Sequence, residues 1–276
     1  MVQRTAAGSF RETGKDFDPS TFDFSERPFI IIWEITRACE LACRHCRAAA
    51  IQRRHPAELE GPDVQNFLDQ VAELNPAMFV LTGGDPILRP DLYRVIRDAR
   101  ARGLRVSVSP SATTRLDKAA VGRLHDAGVS RIALSLDAPD AERHDAFRGV
   151  AGTFSRTLDA IDEARRIGLG FQIHSAVCQE TAAWFDEMPD FIRGLDPLLW
   201  SVFFVVPVGR GSRLRPLDSL GTERLLNVLH DFSRTVTFDV KTTEAPQYRR
   251  IALQRRSEDV FSRRGFSKRG IPAGIN

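Results

Sequence analysis

The stretch RPFIIIWEITRACELACRHC, residues 27–46, joins an apolar run to a cluster of cysteines. Its first part, FIIIWEIT at 29–36, is rich in β-branched and aromatic residues and predicts a buried strand. Its second part holds three of the chain's four cysteines, Cys39, Cys43 and Cys46, in the spacing C-x3-C-x2-C. A strand that leads directly into three thiols predicts a fold in which a loop at the end of a strand carries the chemistry.

Short apolar runs alternate with amphipathic segments along most of the chain. Further strands are predicted at 77–82, 105–109, 131–136, 170–177 and 201–206. Helices are predicted between them at 61–74, 91–102, 118–127, 154–167 and 182–194, and Gly103, Gly128 and Gly168 suit helix C-terminal caps. Six strand–helix repeats predict an α/β fold, a partial (β/α)6 TIM-like barrel, with an open doubly wound sheet as the alternative.

Unusual residues follow the predicted strands, where β/α barrels carry their active sites. The cysteines follow the first strand, GGDP at 83–86 the second, SPSAT at 109–113 the third and PVGRG at 207–211 the sixth. SLDAPD at 135–140 closes the fourth strand and Cys178 the fifth. We therefore expect these segments to converge on one rim of the barrel.

Composition limits the classes of protein that need to be considered. With 276 residues, 42% of them hydrophobic, the chain can bury the core of one large domain or two small ones. The net charge is +3, and the basic pairs near the end are interpreted as a solvated face, so no nucleic-acid partner is expected. We predict a disordered N-terminal segment at 1–26, a core domain at 27–245 and a basic C-terminal tail at 246–276.

No apolar run has the length of a signal-peptide core or a membrane span, so a cytoplasmic location and no membrane partner are expected. In a reducing compartment, clustered cysteines indicate metal ligands or redox thiols more than structural disulfides. A structural zinc site needs four ligands, and no second Cys/His pair is present. A 4Fe-4S cluster ordinarily takes four thiolates, so three would leave one iron open, as in a catalytic metal site.

This pattern resembles the signature of the radical S-adenosylmethionine (SAM) enzymes, with His45 directly before the last cysteine. The resemblance implies that Cys39, Cys43 and Cys46 hold a 4Fe-4S cluster whose open iron binds SAM. It implies reductive cleavage of SAM to a 5′-deoxyadenosyl radical that abstracts hydrogen from a substrate. An external one-electron donor, flavodoxin- or ferredoxin-like, would then be needed.

The same resemblance implies a set of SAM contacts on the rim. His45 would lie near the adenine, and Asp85 stands where the family usually has glutamate, facing the methionine ammonium. A turn and a helix cap are the alternatives for GGDP and for Ser135 with Asp137. The residues implied to contact SAM are His45, Gly83, Gly84, Asp85, Pro86, Ser109, Ser111, Ser135 and Asp137.

Within that family the chain most resembles the branch that carries a C-terminal SPASM or twitch extension, and in it the haem-biosynthesis-like group. The implied substrate is a tetrapyrrole or a peptide, and the candidate substrate residues inside the barrel are Gln172, His174 and Phe204. Arg148 is a further candidate, and it could instead order the site or form a surface salt bridge. Cys178 is expected to be a small buried residue.

No cysteine follows Cys178, so the auxiliary cluster of that branch has no ligands in this sequence. We interpret residues 269–276, RGIPAGIN, as a linker to a lost extension. A rival hypothesis of another class is a degenerate metal-binding or partner-interaction protein on the same scaffold. Stoichiometric iron and sulfide together with SAM cleavage would separate the two hypotheses.

Overall fold

The computed structural model describes residues 23–263, and their side chains as far as residue 256. The predicted segment 1–26 and the predicted tail 246–276 therefore lie partly outside the described residues. The strands are β1 (Ile30–Thr36), β2 (Met78–Gly83), β3 (Val106–Val108), β4 (Arg131–Ser135), β5 (Gly170–Val177), β6 (Leu199–Phe204) and β7 (Asp239–Thr243). The helices are α1 (Gly61–Glu73), α2 (Leu92–Ala101), α3 (Lys118–Asp126), α4 (Ala141–Arg148), α5 (Thr153–Ile167), α6 (Met188–Leu195), α7 (Ser219–Ser233) and α8 (Tyr248–Arg263).

The seven strands form one parallel sheet in the order of the chain, β1 to β7. Each strand pairs with the next, with a register irregularity between Glu34 and Thr36 at the end of β1. A parallel sheet whose strands follow one another in order, with helices between them, curls into a partial barrel. The predicted fold class is confirmed.

The main core lies between the outer face of the sheet and the helices. Alternate residues of β6 show the division: Trp200 and Val202 are fully buried in this core, whereas Phe203 faces the concave interior. On the helices the apolar positions recur at helical spacing, as with Val64, Leu68 and Val71 of α1. The concave face carries a mixture of apolar and polar residues.

Local sequence signals fix the helix ends. Asp117 and Asp140 cap α3 and α4, accepting hydrogen bonds from Ala120 N at 2.7 Å and Arg143 N at 2.9 Å. Gly149 ends α4 and Gly168 ends α5 in the left-handed conformation, with φ of 71° and 74°. Short polar loops of the chain therefore set where each helix starts and stops.

Four elements have no counterpart among the predicted strands and helices: β7, α4, α7 and α8. β7 is an edge strand with no fully buried residue, so the apolar run that reveals a strand is missing from it. α4 has only eight residues, yet Asp140 and Gly149 were readable cap signals. Part of the predicted tail is the helix α8, whose Ile251 is 2% exposed and packs in the main core.

The described residues contain no helix long and apolar enough to cross a membrane. At the carboxyl ends of the strands, the loops after β1, β2, β3 and β4 contact one another. This convergence on one rim is what brings distant parts of the sequence together.

Candidate functional site

The three clustered cysteines lie on a compact loop that leaves β1. Cys39 N donates to Ile51 O at 2.8 Å, and Ala38 and Ile51 form an isolated parallel bridge that closes the loop. Cys39 and Cys43 are buried and Cys46 is partly buried, and all three thiols are free. The loop therefore presents three thiols that form no disulfide, two of them buried and one partly buried.

Each of the three sulfurs has a nitrogen donor within reach. Leu41 N lies 3.4 Å from Cys39 Sγ, and Ala50 N lies 3.4 Å from Cys46 Sγ. The guanidinium of Arg148 approaches Cys43 Sγ at 3.8 Å. Donors and positive charge stabilise thiolates that ligate iron, because the cluster sulfurs carry negative charge. The donor set therefore suits a 4Fe-4S cluster.

Without a metal, the thiols of Cys39 and Cys43 hold their protons at pH 7. Burial raises the pKa of Cys39 and Cys43 above the ordinary thiol value, and for Cys43 the positive charge of Arg148 offsets part of that increase. Metal coordination deprotonates thiols, so loading of this loop releases protons. Among the described residues, no three His, Cys, Asp or Glu side chains are grouped to hold a single metal ion.

The two glycines of GGDP lie against the start of the cysteine loop. A Cβ at Gly83 would sit 2.1 Å from Thr36 O, and one at Gly84 would sit 2.1 Å from Ala38 O. Gly84 N donates to Thr36 O at 2.7 Å, so the loop after β2 is bonded directly to the loop after β1. Both glycines are required by this close backbone approach, whatever else they contact.

Asp85 joins the loops after β2 and β3. Its carboxylate accepts from Thr113 Oγ1 at 2.8 Å and from the backbone nitrogens of Ser111 and Ile87, each at 3.2 Å. The residue is fully buried, and burial raises the pKa of its carboxyl above the usual value although these hydrogen bonds oppose the shift. Pro86 follows it, buried at the start of a short 3₁₀ turn. In this structure Asp85 positions the loop around Ser111, whose Oγ lies 3.6 Å from Cys39 Sγ.

His45 lies between Cys43 and Cys46 in the sequence, and its ring packs against α4. Its ring stacks on Phe147, with centroids 4.7 Å apart and planes 9° from parallel. Burial, and secondarily the charge of Arg148, lowers the pKa of His45 to about 4, so the ring is neutral at pH 7. Its buried Nδ1 has no hydrogen-bond partner among residues 23–256. A neutral imidazole with an unsatisfied polar atom suits contact with an uncharged polar ligand group.

Asp137 and Arg148 form the charged part of the rim. Arg148 Nε donates to Asp137 Oδ2 at 2.6 Å, and Asp137 Oδ1 accepts from Ala176 N at 2.8 Å. Burial alone would raise the pKa of Asp137, but Arg148, His45 and His144 outweigh it and the pKa is lowered. Both residues are buried, so the surface salt-bridge alternative for Arg148 is wrong. Each carboxylate oxygen of Asp137 therefore accepts a hydrogen bond from another group of the protein.

The loop after β6 supports the cysteine loop from the other side, a role that sequence reasoning missed. Arg210 Nε donates to Cys43 O at 2.9 Å, and its Nη1 donates to Ala50 O at 3.1 Å. A Cβ at Gly209 would lie 2.3 Å from Arg47 O, which explains the glycine before the arginine. The arginine flanked by glycines in PVGRG was the readable signal.

The remaining predicted residues fall into two groups. Ser109, Gln172 and His174 line the concave interior, but the prediction for Phe204 is wrong, because strand alternation turns Phe203 inward and Phe204 to the core. Ser135 lies at the end of β4, where its carbonyl accepts from Thr157 Oγ1 at 3.5 Å. Cys178 is fully buried beside Phe147, Ala176 and Leu214, as a small core residue.

A parallel β/α half-barrel with three free thiols on the loop after its first strand defines a class of protein that holds an open cluster site at its rim. The model of the radical SAM superfamily matches residues 33–192. The chain belongs to this superfamily, for which a 4Fe-4S cluster and S-adenosylmethionine are the implied cofactors. The residues of the cysteine loop fit that cluster.

Two relatives are AdoMet-dependent heme synthases. The protein of Oleidesulfovibrio alaskensis is 38% identical over 83% of this chain and 60% of its own length, and that of Nitratidesulfovibrio vulgaris is 36% identical over 84% and 64%. The structure of Streptococcus suis SuiB bound to S-adenosylmethionine matches with a TM-score of 0.68 at 17% identity, over 79% of this chain and 51% of SuiB. The chain thus spans about three fifths of the length of the two synthases.

Proposed function

We propose that this chain is a radical SAM enzyme that acts on a haem-type tetrapyrrole. The observation that carries the proposal is the cysteine loop, with three free thiols that each have a nitrogen donor and no fourth cysteine beside them. When bound, the cluster supplies the electron that cleaves SAM into methionine and a 5′-deoxyadenosyl radical, which abstracts hydrogen from the substrate.

Different residues of the rim bind the cluster and position the loops around it. Cys39, Cys43 and Cys46 ligate three irons, and the donors beside their sulfurs keep the ligands in place. Asp85 holds the loop after β3 at the site through Ser111. The dry surroundings of these side chains strengthen polar contacts and exclude water from a reactive site.

The SAM contacts proposed for this chain follow the geometry of each loop. His45 is neutral, stacked and unsatisfied at Nδ1, which supports a place beside the adenine. Ser135 at the end of β4 supports a contact to the ribose, with Asp137 acting on that loop through Arg148 and Ala176. The segment from Gly83 to Pro86 and the residues Ser109 and Ser111 complete the proposed surface for the methionine part.

Similarity to the heme synthases supports a tetrapyrrole rather than a peptide as the substrate, since those relatives exceed one third identity over most of this chain. The reaction also needs an external one-electron donor, for which we propose a flavodoxin- or ferredoxin-like protein. A peptide substrate is an outcome of the test below.

The proposal is tested by anaerobic reconstitution with iron and sulfide, followed by iron counting and an assay for 5′-deoxyadenosine with dithionite. We expect about four irons per chain and SAM cleavage. Cys39→Ala, Cys43→Ala and Cys46→Ala should each lose the intact cluster, and Cys178→Ala, which removes a thiol outside the cysteine loop, is the matched control. A chain that binds zinc, or a cluster without SAM cleavage, would support the degenerate metal-binding protein instead.

The substrate is tested by transfer of deuterium into 5′-deoxyadenosine. Deuterated coproporphyrin III, as its iron complex, is the probe for a tetrapyrrole, and deuterated peptides encoded near the gene are the probe for the alternative. Transfer from the porphyrin supports the proposal. Transfer from a peptide alone would overturn the proposed substrate and leave the radical chemistry intact.

A further inference from the structure

The concave face of the half-barrel encloses a cavity of about 210 Å³ toward the amino ends of the strands. Apolar side chains such as Ile30, Met78 and Phe203 form one part of its wall. Three cationic residues, Arg105, Arg131 and Lys241, form another part. The cavity is therefore apolar and positively charged at once, a combination that suits an apolar ligand carrying an anionic group.

The cations lie close enough to influence one another and the nearby polar groups. Burial lowers the pKa of Arg131, which Asp239 opposes, and burial together with the charge of Arg131 lowers the pKa of Arg105. Burial and the charges of Arg148, Lys241 and Arg131 lower the pKa of His174 to about 4, so this residue adds no charge at pH 7. Arg105, Arg131 and Lys241 thus bring positive charge to the described part of the cavity wall, with the carboxyl of Asp239 acting on Arg131, and positive charge in a cavity favours an anion.

A polar pair lies beside these charges on β5. Gln172 Nε2 lies 2.8 Å from His174 Nε2, and the buried Gln172 Oε1 has no hydrogen-bond partner in the part of the chain whose side chains are described. Rotation of the amide by 180° would let Oε1 accept from the imidazole and turn the NH₂ group toward a ligand. The pair can therefore donate a hydrogen bond into the cavity.

The loop after β3 connects the cavity wall to the cysteine loop. Ser109 lines the cavity, and Ser111, two residues further on, contacts Cys39 Sγ. The eight residues of β5 span about 26 Å from one end of the interior to the other. A flat macrocycle with one edge in the cavity would extend toward the rim where the three cysteines lie.

We propose that this cavity is a carboxylate subsite, in which Arg131, Lys241 and Gln172 bind a propionate side chain of the tetrapyrrole. The inference rests on the proposed function and assigns to it residues that hold the substrate edge remote from the reaction. Arginine and lysine bind carboxylates by charge-assisted hydrogen bonds, which are stronger than hydrogen bonds between neutral groups. The enclosed volume is below the 300–1,000 Å³ of pockets that bury a whole drug-sized ligand, as expected for a site that holds only one edge.

The test measures binding of coproporphyrin III, which carries four propionates, by fluorescence titration of the reconstituted chain with SAM. Lys241→Met and Arg131→Met should each raise the dissociation constant about tenfold or more, because each removes a charged hydrogen-bond partner. Lys118→Met and Arg97→Met, which remove exposed charges from the outer helices α3 and α2, are the matched controls and should bind as the wild type does.

The tetramethyl ester of coproporphyrin III separates charge from shape, since it keeps the ring and loses the carboxylates. The Lys241→Met and Arg131→Met variants should bind this ester as the wild type does. Because Lys241 is exposed, its variant remains informative if Arg131→Met fails to fold. If the wild type binds coproporphyrin III and both variants bind it equally well, the subsite alone is overturned. If the wild type binds no tetrapyrrole, the proposed substrate is overturned and the subsite with it.

Discussion

Arg148 and Asp137 form a buried ion pair, with Arg148 Nε 2.6 Å from Asp137 Oδ2, and the same guanidinium reaches Cys43 Sγ at 3.8 Å. The pair links the end of β4 to the end of α4 and to the cysteine loop. The positive charge of Arg148 is thus held beside Cys43 by Asp137, although Cys43 lies far from both residues in the sequence.

Replacement of one partner of this pair should be costly. We expect Arg148→Met to lower the free energy of unfolding of the metal-free chain by about 3–5 kcal/mol, because it leaves the buried Asp137 carboxylate uncompensated. Urea denaturation measures the effect. The double variant with Asp137→Asn should recover part of the loss, since both charges are then absent. Arg224→Met, in the exposed pair that Arg224 of α7 forms with Asp186, is the control, and an equal loss there would contradict this account.

Gly84→Ala should disrupt the junction between the loops after β1 and β2. The added Cβ would meet Ala38 O at 2.1 Å, and relief of such a clash typically costs about 1–3 kcal/mol or more. We expect lower thermal stability and fewer irons per chain after reconstitution. Gly122→Ala, in the interior of α3 with open space around it, should instead raise stability by about 0.5–1 kcal/mol. Normal iron loading in Gly84→Ala would refute the packing argument.

Arg210→Lys should weaken the hold of the loop after β6 on the cysteine loop. Lysine keeps the charge but loses the planar fork that reaches Cys43 O and Ala50 O together. We expect the reconstituted cluster to bleach several-fold faster in air than in the wild type. The decay of its visible absorbance measures the rate. The control is Arg213→Lys, because Arg213 is exposed and lies with Arg210 in the short 3₁₀ segment Gly209–Arg213. Equal bleaching rates for the two variants would remove Arg210 from this role.

Acid should destabilise the fold through buried histidines. Burial lowers the pKa of His144 to about 4 from an ordinary 6.5, and its Nδ1 accepts a hydrogen bond from Asp137 N at 3.1 Å. Between these pH values the folded state binds fewer protons than the unfolded state, so the free energy of unfolding falls as the pH drops from 6.5 to 4.

Denaturation of the metal-free chain across that range measures the slope. His144→Asn keeps an acceptor for Asp137 N and removes the titrating group, so its slope should be shallower than that of the wild type. His45 and His174, whose pKa values are also lowered to about 4, retain part of the slope. Identical slopes for His144→Asn and the wild type would show that His144 does not contribute.

The sequence by itself determined the order of elements and the chemistry of the cysteine loop. The run at 29–36, the glycine caps and the spacing of Cys39, Cys43 and Cys46 are local signals, because they depend on neighbours in the chain. β7 escaped prediction because an edge strand whose residues are partly buried or exposed lacks an apolar run. Phe204 was predicted to face the barrel interior, and Phe203 does so instead. Alternation along a strand separates its residues into two faces, but only packing decides which face is inward.

Only the tertiary structure decided which distant residues meet. That Asp85 holds the loop around Ser111, that Arg210 supports Cys43, and that Arg131 and Lys241 share a cavity with Gln172 are contacts between separate strand ends or across the barrel. No local pattern encodes these contacts, because they arise when seven parallel strands curl and bring their loops to one rim. The sequence thus supplied the reactive groups, and the barrel supplied their partners.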